Sequence, residues 1–581
     1  MSDTAPREAP AQREVEVLIL GAGVNGAGLF RDLCAQGLDC LIVDQGDYGS
    51  GTSAAPSRLI HGGLKYLETG EFGLVAQSTL ERNLLLRNAP HCVTPLATVI
   101  PIFSWTRGIG AALRTLLGAK KAPRSRGAVL IKLGLALYDF YGARQRVMPR
   151  HALWGKGRAL RELPPLTPAI VAAGTYYDAQ ISRPERLVLE LVQDGLAASP
   201  GSAALNHATL VACADGVLSF TASDGRTLAV RPRLVVNAAG PWIDRVNAAL
   251  GAPTKLIGGT KGSHILLDHP ELVRVLDGRM IYFEADDGRI CLVFDYLGKA
   301  LVGSTDIPAD DPDQVRCEDA EIDYLLASLR GLLPGLGFER AQIVYAYSGI
   351  RPLPASDATA PGLISRDHSA PVAEPAAGRP FPIVSLVGGK WTTFRGFAEE
   401  VADTILARLG RSRRVSTRTL AIGGGKGFPA DAEARARWLA EAAQASGLDA
   451  DRLEELLARY GTTASALARH AGRFTDQERL PDARDHSLAE IAWLARHEQV
   501  VHLADLVLRR TTLAITGRLT ARDLAAMAAV AAATLGWDAA RTAQELAATT
   551  AELAGRHRLR LEPQPVQAAA QATLGSRLPD A

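Results

Sequence analysis

A glycine turn between a buried strand and a helix is the feature that most restricts the fold of this chain. Residues 15–20 form a near-continuous apolar run, as expected for a strand buried on both faces of a parallel sheet. The turn Gly-Ala-Gly-Val-Asn-Gly follows at 21–26, and a helix is predicted over 27–36. A second apolar strand, 40–43, ends at Asp44, 18 residues after the last glycine of the turn. This order of elements predicts a dinucleotide-binding domain.

The residue types of this turn suit a bound pyrophosphate. Glycines allow a tight turn and a close approach of the backbone, and the helix N-terminus then faces the pyrophosphate. The acid after the second strand can accept hydrogen bonds from a ribose diol. The predicted dinucleotide contacts are therefore Gly21, Gly23, Asn25, Gly26 and Asp44. The motif alone does not distinguish NAD from FAD.

The rest of the chain indicates further domains. With 581 residues, two or more cores are expected, and the apolar fraction of 47% excludes a mostly disordered protein. Tails are predicted at 1–14 and 561–581. A glycine-rich linker at 421–429 is predicted to lead into a helical domain at 430–560, which is rich in Ala, Leu, Arg and Glu.

A second glycine-rich segment, 51–68, favours FAD over NAD. It contains Gly-Thr-Ser-Ala-Ala-Pro-Ser-Arg and then His-Gly-Gly directly after the second strand, where nicotinamide enzymes have no general need for such a loop. The long ribityl-pyrophosphate arm of a flavin, in contrast, must be wrapped by small residues and backbone donors. The candidate flavin contacts in this segment are Thr52, Ser53, Arg58, His61, Gly62 and Gly63.

Several longer motifs resemble the FAD-dependent glycerol-3-phosphate dehydrogenases of the respiratory type. They include Val-Asn-Ala-Ala-Gly-Pro-Trp at 236–242, Lys-Gly-Ser-His at 261–264, Tyr-Ser-Gly-Ile-Arg-Pro-Leu at 347–353, Ile-Ser-Arg-Asp at 364–367 and Val-Gly-Gly-Lys-Trp-Thr-Thr at 387–393. The resemblance extends from about residue 15 to about residue 540 and keeps the order of the family's motifs.

This resemblance implies an α/β (α+β) flavoprotein. A Rossmann-like FAD-binding domain within 15–420 would be interleaved with a sheet-based substrate domain and followed by an all-helical C-terminal domain. The FAD-binding segments are expected at approximately 15–90, 180–250 and 345–420, and the substrate segments at 91–179 and 251–344. The implied reaction is oxidation of sn-glycerol 3-phosphate to dihydroxyacetone phosphate, with electrons passing to a membrane quinone.

The substrate phosphate requires cations. A dianion in a partly desolvated pocket needs several of them, and the planar fork of arginine fits its oxygens. Arg351 and Arg366 are the candidates, and the resemblance implies that both hold the phosphate. Lys65 stands where the family usually carries arginine, so it keeps the charge but loses the bidentate geometry. Tyr66 is predicted to line the same pocket.

The remaining candidates serve proton transfer and the flavin. His264 is a candidate base, because an imidazole titrates near neutral pH. Lys390 precedes a predicted helix, 394–409, whose N-terminus would face the flavin where negative charge collects on reduction. The other predicted flavin contacts are Ala239, Gly240, Gly389 and Thr392. Non-covalent FAD is expected, and covalent attachment through His61 is the alternative.

Charge and cysteine patterns address partners and location. Residues 101–150 contain ten Lys/Arg and one acid, a net charge of +9, so the rest of the chain sums to −7. The segment is either a solvated loop or a surface for anionic lipid, and it lacks the interleaved aromatics expected for nucleic acid. Six scattered cysteines without zinc spacing argue against a structural metal and favour a reducing compartment.

No apolar stretch reaches the roughly 20 residues that a spanning helix needs, and no signal peptide is visible. A cytoplasmic protein, peripherally associated with the inner face of the cell membrane, is expected, and a homodimer is left open. The alternatives are an oxidase that uses oxygen, an amino- or hydroxy-acid oxidoreductase of the same fold, and a flavin-binding regulatory or assembly protein. The second phosphate cation, Arg366, argues against the acid substrates, for which one arginine suffices.

Overall fold

A computed structural model describes residues 13–67, 70–106, 127–142, 148–309, 311–355, 367–473, 476 and 478–562. The strands in chain order are β1 Arg13–Leu20, β2 Cys40–Val43, β3 Leu59–Ile60, β4 Val93–Ile102, β5 Ala152–Gly155, β6 Ala172–Ile181, β7 Ala203–Leu205, β8 Ala208–Ala214, β9 Val217–Ala222, β10 Thr227–Asn237, β11 Ile257–Leu267, β12 Arg279–Glu284, β13 Ile290–Tyr296, β14 Lys299–Gly303, β15 Ile307–Pro308, β16 Ile343–Pro354, β17 His368–Ser369, β18 Val372–Ala373, β19 Ile383–Ser385 and β20 Val387–Gly388.

The α-helices longer than one turn are α1 Val24–Ala35, α2 Phe72–Asn88, α3 Ala128–Tyr141, α4 Lys156–Glu162, α5 Pro184–Ala198, α6 Ile243–Ala249, α7 Pro270–Leu276, α8 Asp319–Leu332, α9 Phe394–Arg408, α10 Ala432–Ser446, α11 Ala450–Tyr460, α12 Ala464–Arg473, α13 Leu488–His497, α14 Ala521–Leu535 and α15 Ala539–His557. Across the described ranges, no helix has both the length and the apolar character needed to cross a bilayer.

The chain forms two compact units. The first comprises the described residues within Met1–Ala54, Leu187–Thr260 and Ile350–Leu420. The second comprises those within Ala55–Arg186, Lys261–Gly349 and Ala421–Ala581.

The first unit is built on the sheet that the opening motif predicts. Strands β19, β10, β1, β2 and β7 are adjacent in that order and parallel, with antiparallel additions at one edge and on β10. The strands predicted at 15–20 and 40–43 are confirmed, and both are buried as expected for a parallel sheet. The helix predicted from residue 27 begins earlier, at Val24, because Gly23 already has the extended backbone of an N-cap.

The second unit contains a ten-stranded sheet with two covered faces. Its order is β15-β11-β14-β13-β12-β4-β6-β3, with β16 on β11 and β5 on β6. Within it, β12, β13 and β14 are adjacent and antiparallel. Because successive side chains point to opposite faces, Ile265 packs in the core that contains α8, whereas Leu266 packs with the C-terminal helices.

The helical C-terminal domain is also confirmed, with α10 to α15 between residues 432 and 557. The glycine run before it is buried rather than exposed. A Cβ on Gly424 would lie 2.1 Å from the carbonyl oxygen of Tyr460, and one on Gly425 would lie 2.3 Å from that of Asn88. These glycines therefore allow backbone segments of the second unit to pack directly on one another.

Candidate active site

The turn after β1 contains two kinds of glycine. Gly21 and Gly26 pack directly against backbone of the protein, whereas Gly23 borders open space. Gly21 has φ +103°, and a Cβ there would lie 2.5 Å from the carbonyl oxygen of Ala238. A Cβ on Gly26 would lie 2.0 Å from the carbonyl oxygen of Gly21. At Gly23 the nearest described atom is Ser53 Oγ at 3.1 Å. The structure thus leaves room beside Gly23, at the N-terminus of α1, where a pyrophosphate would fit.

Two polar side chains at this helix N-terminus bear on the fit of a dinucleotide. The Val24 amide donates to Ser53 Oγ at 2.9 Å, which fixes the flavin loop predicted from residue 51 against the helix. Asn25 Nδ2 donates to the Gly388 carbonyl at 3.3 Å. Asn25 Oδ1 is buried and accepts no hydrogen bond from the described residues. A buried acceptor of this kind fits a cofactor that carries hydroxyl donors, as the ribityl chain of FAD does.

Asp44 ends β2 as predicted. Its Oδ2 accepts from the Ala22 amide at 2.6 Å and its Oδ1 from the Gly46 amide at 2.9 Å. Burial raises the pKa of the Asp44 carboxyl to about 6 against these two stabilising amides. Each carboxylate oxygen has a further lone pair, so the group can still accept from a ribose diol.

A second group of glycines, Gly388 and Gly389, lies next to the turn at 21–26 within the first unit. Gly388 and Gly389 have φ +70° and +91°, and a Cβ on Gly388 would lie 2.7 Å from the Asp367 carbonyl oxygen. A short 3-10 turn, Trp391–Thr393, then leads into α9, which begins at Phe394 as predicted. Lys390 and Thr392 are both buried at this point. The predicted residues 389–392 therefore lie next to Asn25, at the start of a helix.

Ser53 and Thr52 connect the predicted flavin-binding residues to neighbouring elements of the same unit. Trp391 Nε1 donates to the Ser53 carbonyl at 3.2 Å, and Thr52 Oγ1 donates to the Ile350 carbonyl at 2.6 Å. Ile350 precedes Arg351, whose side chain is partly exposed on β16. Ala239 and Gly240 follow β10, and the Cα of Ala239 lies 2.9 Å from the position of a Cβ on Gly21. The first unit thus brings most predicted flavin residues together.

The remaining predicted flavin residues belong to the second unit. The Gly62 amide donates to Tyr138 Oη at 2.9 Å and to Asp178 Oδ1 at 3.0 Å, so it is already satisfied within the protein. Arg82 Nη1 also donates to Asp178 Oδ1, at 3.1 Å, which neutralises this buried carboxylate. That flavin contacts occur at His61, Gly62 and Gly63 stays a prediction. The sequence gives no signal for the supporting trio Arg82, Tyr138 and Asp178, because these residues are far apart along the chain.

Arg58 has a clear structural role. Its φ is +58°, its side chain is buried, and its two terminal nitrogens donate to the Glu185 carboxylate at 2.8 and 2.9 Å. The guanidinium also lies over the rings of Tyr296 and Tyr347, at 5.4 and 5.6 Å from their centroids. The attraction of Glu185 outweighs burial and raises the pKa of Arg58. The predicted flavin contact through Arg58 stays a prediction.

His264 lies on β11, buried to 1% of its surface. Its Nε2 is 2.8 Å from the Ser57 hydroxyl, and its ring stacks on Tyr347 with centroids 4.8 Å apart. Gly303 is its register partner on β14, and a Cβ there would lie 2.0 Å from His264 Cδ2. A hydroxyl both donates and accepts, so the Ser57 hydrogen bond is available to neutral and protonated imidazole alike. The site therefore suits a group that takes up a proton.

The other face of the same strand carries a network that the sequence does not reveal. Ser263 Oγ donates to Glu321 Oε1 at 2.7 Å, and Lys261 Nζ pairs with Glu321 Oε2 at 2.7 Å. Thr305 Oγ1 donates to the same carboxylate at 2.6 Å. Despite burial, these partners lower the pKa of Glu321. The network anchors the Lys-Gly-Ser-His element, so Lys261 acts as an ion-pair partner here.

Three predicted substrate residues are only partly described or not described. Lys65 and Tyr66 lie in a 3-10 turn, Leu64–Leu67, whose backbone is described but whose side chains at these two positions are not. Arg366 lies outside the described residues. Their contacts with the substrate stay predictions.

Comparison with known proteins identifies the fold and the family. A family model described as FAD dependent oxidoreductase matches residues 16–404, and one described as the C-terminal domain of alpha-glycerophosphate oxidase matches 415–542. A glycerol-3-phosphate dehydrogenase of Synechocystis is 31% identical over 86% of this chain and 89% of its own length. D-erythritol 1-phosphate dehydrogenase of Brucella abortus is 30% identical over 66% of this chain and 72% of its own length. The structure of a Bacillus halodurans glycerol-3-phosphate dehydrogenase complexed with FAD has the same fold, with a TM-score of 0.72, 22% identity and coverage of 94% and 95% of the two chains.

The parallel sheet, glycine turn and acid of the first unit define an FAD-dependent oxidoreductase, and FAD is its cofactor. The chain belongs to the FAD-dependent glycerol-3-phosphate dehydrogenase family. The fold class and the cofactor expected from the sequence are thereby confirmed.

Proposed function

We propose that this protein oxidises sn-glycerol 3-phosphate to dihydroxyacetone phosphate and passes the electrons to a membrane quinone. The observation that carries the proposal is the similarity to the Synechocystis glycerol-3-phosphate dehydrogenase, which extends over both units. Bound FAD supplies the acceptor for the hydride of the carbinol carbon. The protein supplies the remaining tasks, which are to hold the phosphate, accept the hydroxyl proton and hold the flavin.

His264 is the residue that we assign to the proton. The assignment is supported by its buried imidazole, which is hydrogen-bonded to Ser57 and stacked on Tyr347, since a general base must be held in position. Arg351 is assigned to the phosphate, together with Arg366 and Lys65. Lys390, buried at the start of the turn before α9, is assigned to the negative charge that develops on reduction.

The phosphate role is tested with Arg351→Ala. This change should lower kcat/KM for glycerol 3-phosphate by at least about 100-fold, or about 2.7 kcal/mol, because a desolvated dianion loses a charged partner. Oxidation of glycerol, which has no phosphate, should be nearly unchanged. Equal losses with both substrates would show that Arg351 supports the fold and does not bind phosphate.

The substrate itself is tested by mixing the enzyme anaerobically with glycerol 3-phosphate and following loss of the visible flavin band. Similarity to the D-erythritol 1-phosphate dehydrogenase favours a second candidate function, oxidation of a longer polyol phosphate. Erythritol 1-phosphate is therefore the matched substrate in the same measurement. A higher kcat/KM for erythritol 1-phosphate would replace the first assignment with the second.

The flavin linkage is tested by acid precipitation. Non-covalent FAD should appear entirely in the supernatant. Flavin that stays with the precipitated protein would contradict this expectation, and a peptide map would then show whether His61 carries it.

Delivery of electrons to quinone requires a surface that reaches the bilayer, and exposed apolar side chains of the second unit support a role for it in docking. Exposed apolar side chains of α3 are Val129, Leu133 and Phe140, which are 54, 59 and 72% exposed. The Val129 amide bonds the carbonyl of Trp105, itself 53% exposed, and the ring of Tyr141 stacks on that of Phe72. We call Phe72, Phe103, Trp105, Val129, Leu133 and Phe140 the apolar patch; they are six of the ten large hydrophobic residues exposed in the described part of the chain.

The sequence adjoining this patch is basic. Between Trp105 and Ala128 it contains six Lys/Arg and no acid, although residues 107–126 and 143–147 lie outside the described residues. Apolar and aromatic side chains beside basic ones are typical of surfaces that lie in the interface of an anionic membrane. We therefore propose peripheral docking through 101–150 on the inner face of the cell membrane.

Docking is tested by vesicle sedimentation. Binding to anionic vesicles should weaken as salt rises, because surface charges are screened over about 8 Å at physiological ionic strength. Reversing the charges of Lys120, Lys121, Arg124 and Arg126, or introducing Leu133→Glu, should release the protein and reduce activity with a long-tailed quinone. Activity with a soluble dye should not change.

Val211→Glu is the matched control, since Val211 is 57% exposed on β8 and outside the patch. If the patch variants sediment as the control does, the docking surface lies elsewhere.

Rapid turnover with oxygen in place of quinone would favour the oxidase alternative.

A further inference from the structure

One strand of the second unit connects His264 to the C-terminal helical domain. On β16, Tyr345 and Tyr347 are two residues apart and share a face. Both are buried in a hydrophobic core that includes helical-domain residues such as Leu456 and Leu506. Ala346, between them, lies in the core of the opposite face. The face that carries these tyrosines is therefore the one covered by the C-terminal helices.

Four rings form a continuous series along this face. His264 stacks on Tyr347 with centroids 4.8 Å apart and planes 11° apart. Tyr347 is 6.4 Å from Tyr345, and Tyr345 stacks on His557 at 4.6 Å and 10°. We call His264, Tyr347, Tyr345 and His557 the aromatic column. It extends from the assigned base to the last residue of α15.

Hydrogen bonds hold the two ends and the middle of the column. His557 Nδ1 donates to the Ala346 carbonyl at 3.1 Å, since a carbonyl oxygen only accepts. Tyr347 Oη donates to the Pro56 carbonyl at 2.9 Å. The next residue, Ser57, holds His264 Nε2 at 2.8 Å. Rotation of the His264, Tyr347 or His557 ring would break a hydrogen bond as well as a ring contact.

The sides of the aromatic column pack against the loop 56–58 and against Gly303, the glycine opposite His264. Arg58 lies over the Tyr347 ring and is fixed by Glu185, so each of the three loop residues contacts the column. On the neighbouring strand, Gly303 leaves the space that His264 occupies, since a Cβ there would overlap the imidazole. The His264 ring is thus packed between a strand, a loop and an aromatic partner.

We propose that the C-terminal helical domain positions His264 through the aromatic column. His557 fixes Tyr345, the strand carries this constraint to Tyr347, and Tyr347 holds the imidazole in the orientation for proton transfer. Tyr347, Tyr345 and His557 are positioning residues. This inference rests on the proposed function, in which His264 accepts the hydroxyl proton.

The protonation state of His557 agrees with that role. Burial lowers the pKa of His557 to about 4, and the nearby charges of Arg556 and Arg509 act in the same direction, against the Ala346 carbonyl. The imidazole is therefore neutral near pH 7, so it can stack on Tyr345 and donate through Nδ1 without a buried charge.

Tyr347→Leu and Tyr347→Phe test the contact with His264 in the full-length holoenzyme. Misplacing a catalytic group by a small distance can cost about 100-fold, so Tyr347→Leu should slow anaerobic flavin reduction by about 10- to 100-fold. It should also shift the pH profile of kcat, while the Kd of an unreactive phosphate analogue and the FAD content stay as in the parent. Tyr347→Phe keeps the ring and loses only the hydroxyl, so it should retain most of the rate.

His557→Ala tests the distant end and should slow flavin reduction by about three- to tenfold, again without a change in analogue binding. His557→Phe, which restores a ring against Tyr345, should recover part of this loss. His497→Ala is the matched control, because His497 is a histidine of the same domain that contacts Trp493 at 3.9 Å and has an exposed side chain. If Tyr347→Leu does not retain FAD, the flavin reduction rates of His557→Ala and His557→Phe decide whether the column positions His264.

Modification of His264 by diethyl pyrocarbonate, mapped by peptide mass spectrometry in the substrate-free holoenzyme, gives a readout that does not need turnover. His264 should react faster in Tyr347→Leu and His557→Ala than in the parent and in His497→Ala. Unchanged reactivity, rate and pH profile in both column variants would overturn the inference. If the parent does not oxidise glycerol 3-phosphate, the proposed function fails, and the modification rates still decide whether the column holds His264.

Discussion

The flavin cradle of the first unit and the aromatic column of the second are built from different parts of the chain. We use flavin cradle for the turn at 21–26, Asp44 and the glycine pair before Lys390. The cradle consists mainly of backbone: amides of Ala22 and Gly46 hold the acid, and glycines make the approach possible. The column consists of side chains from three separate segments, β11, β16 and the end of α15.

This difference determines how each region should respond to substitution. A backbone-built site fails when a side chain occupies space that glycine leaves, and it tolerates changes at neighbouring positions. A site built from side chains fails when a ring or a charge is lost, because the remaining buried groups then lack their partner.

The largest effect is expected for Gly23→Val in the cradle. Within 4 Å, a Cβ at this position would meet only Ser53 Oγ among described atoms, at 3.1 Å, and the valine would fill the space beside the N-terminus of α1. The purified protein should therefore fold and be colourless, with no FAD released by acid. Absorbance spectra and circular dichroism check both points.

Gly26→Val is the contrasting variant. Its Cβ would lie 2.0 Å from the Gly21 carbonyl oxygen, so it should destabilise the fold itself as well as abolish FAD binding. A Gly23→Val protein that is yellow, or one that unfolds as Gly26→Val does, would contradict the distinction between the two glycines.

In the second unit, Arg58→Ala should reduce the free energy of unfolding by about 3–5 kcal/mol, because Glu185 would be left buried without its partner. The Arg58 side chain is 3% exposed and that of Glu185 is 10% exposed. Chemical denaturation followed by tryptophan fluorescence measures the change.

Arg226→Ala is the control for Arg58, because Arg226 also pairs with an acid but its side chain is 73% exposed. Its expected loss is at most about 1 kcal/mol. Similar losses for the two arginines would mean that the buried pair contributes no more than a surface pair.

The smallest effect concerns the pH dependence of the flavin-free protein. The pKa of Asp44 is raised from 3.8 to about 6, so the folded state binds this proton more tightly than the unfolded state. The stability from Asp44 is therefore full below pH 3.8 and is lost as pH rises through about 6. Tm should therefore fall as pH rises through about 6, and Asp44→Asn should remove the part of this fall that Asp44 causes. An Asp44→Asn profile that parallels the parent's would show that other groups cause the decline.

Much of the fold was accessible from the sequence because its signals are local. The apolar strands at 15–20 and 40–43 and the helical C-terminal domain follow from periodicity and composition, and all are confirmed. The predicted start of α1 at residue 27 is wrong by three residues, since a glycine turn does not show where helical backbone begins. The packing of Gly424 and Gly425 against backbone from distant segments has no local signal either.

Within the candidate site, the turn at 21–26 and Asp44 could be predicted from the sequence, because their chemistry depends on glycines and an acid at fixed spacing along one stretch of chain. The surroundings of His264, in contrast, come from segments that are far apart along the chain. Ser57 is 207 residues from His264 along the chain, and His557 is 211 residues from the carbonyl that it bonds. No spacing rule connects such residues, because their proximity is produced by strand pairing and by helices packing on the sheet. The sequence predicted His264 as a candidate base, whereas the hydrogen bond to Ser57 and the ring contact with Tyr347 are visible only in the folded chain.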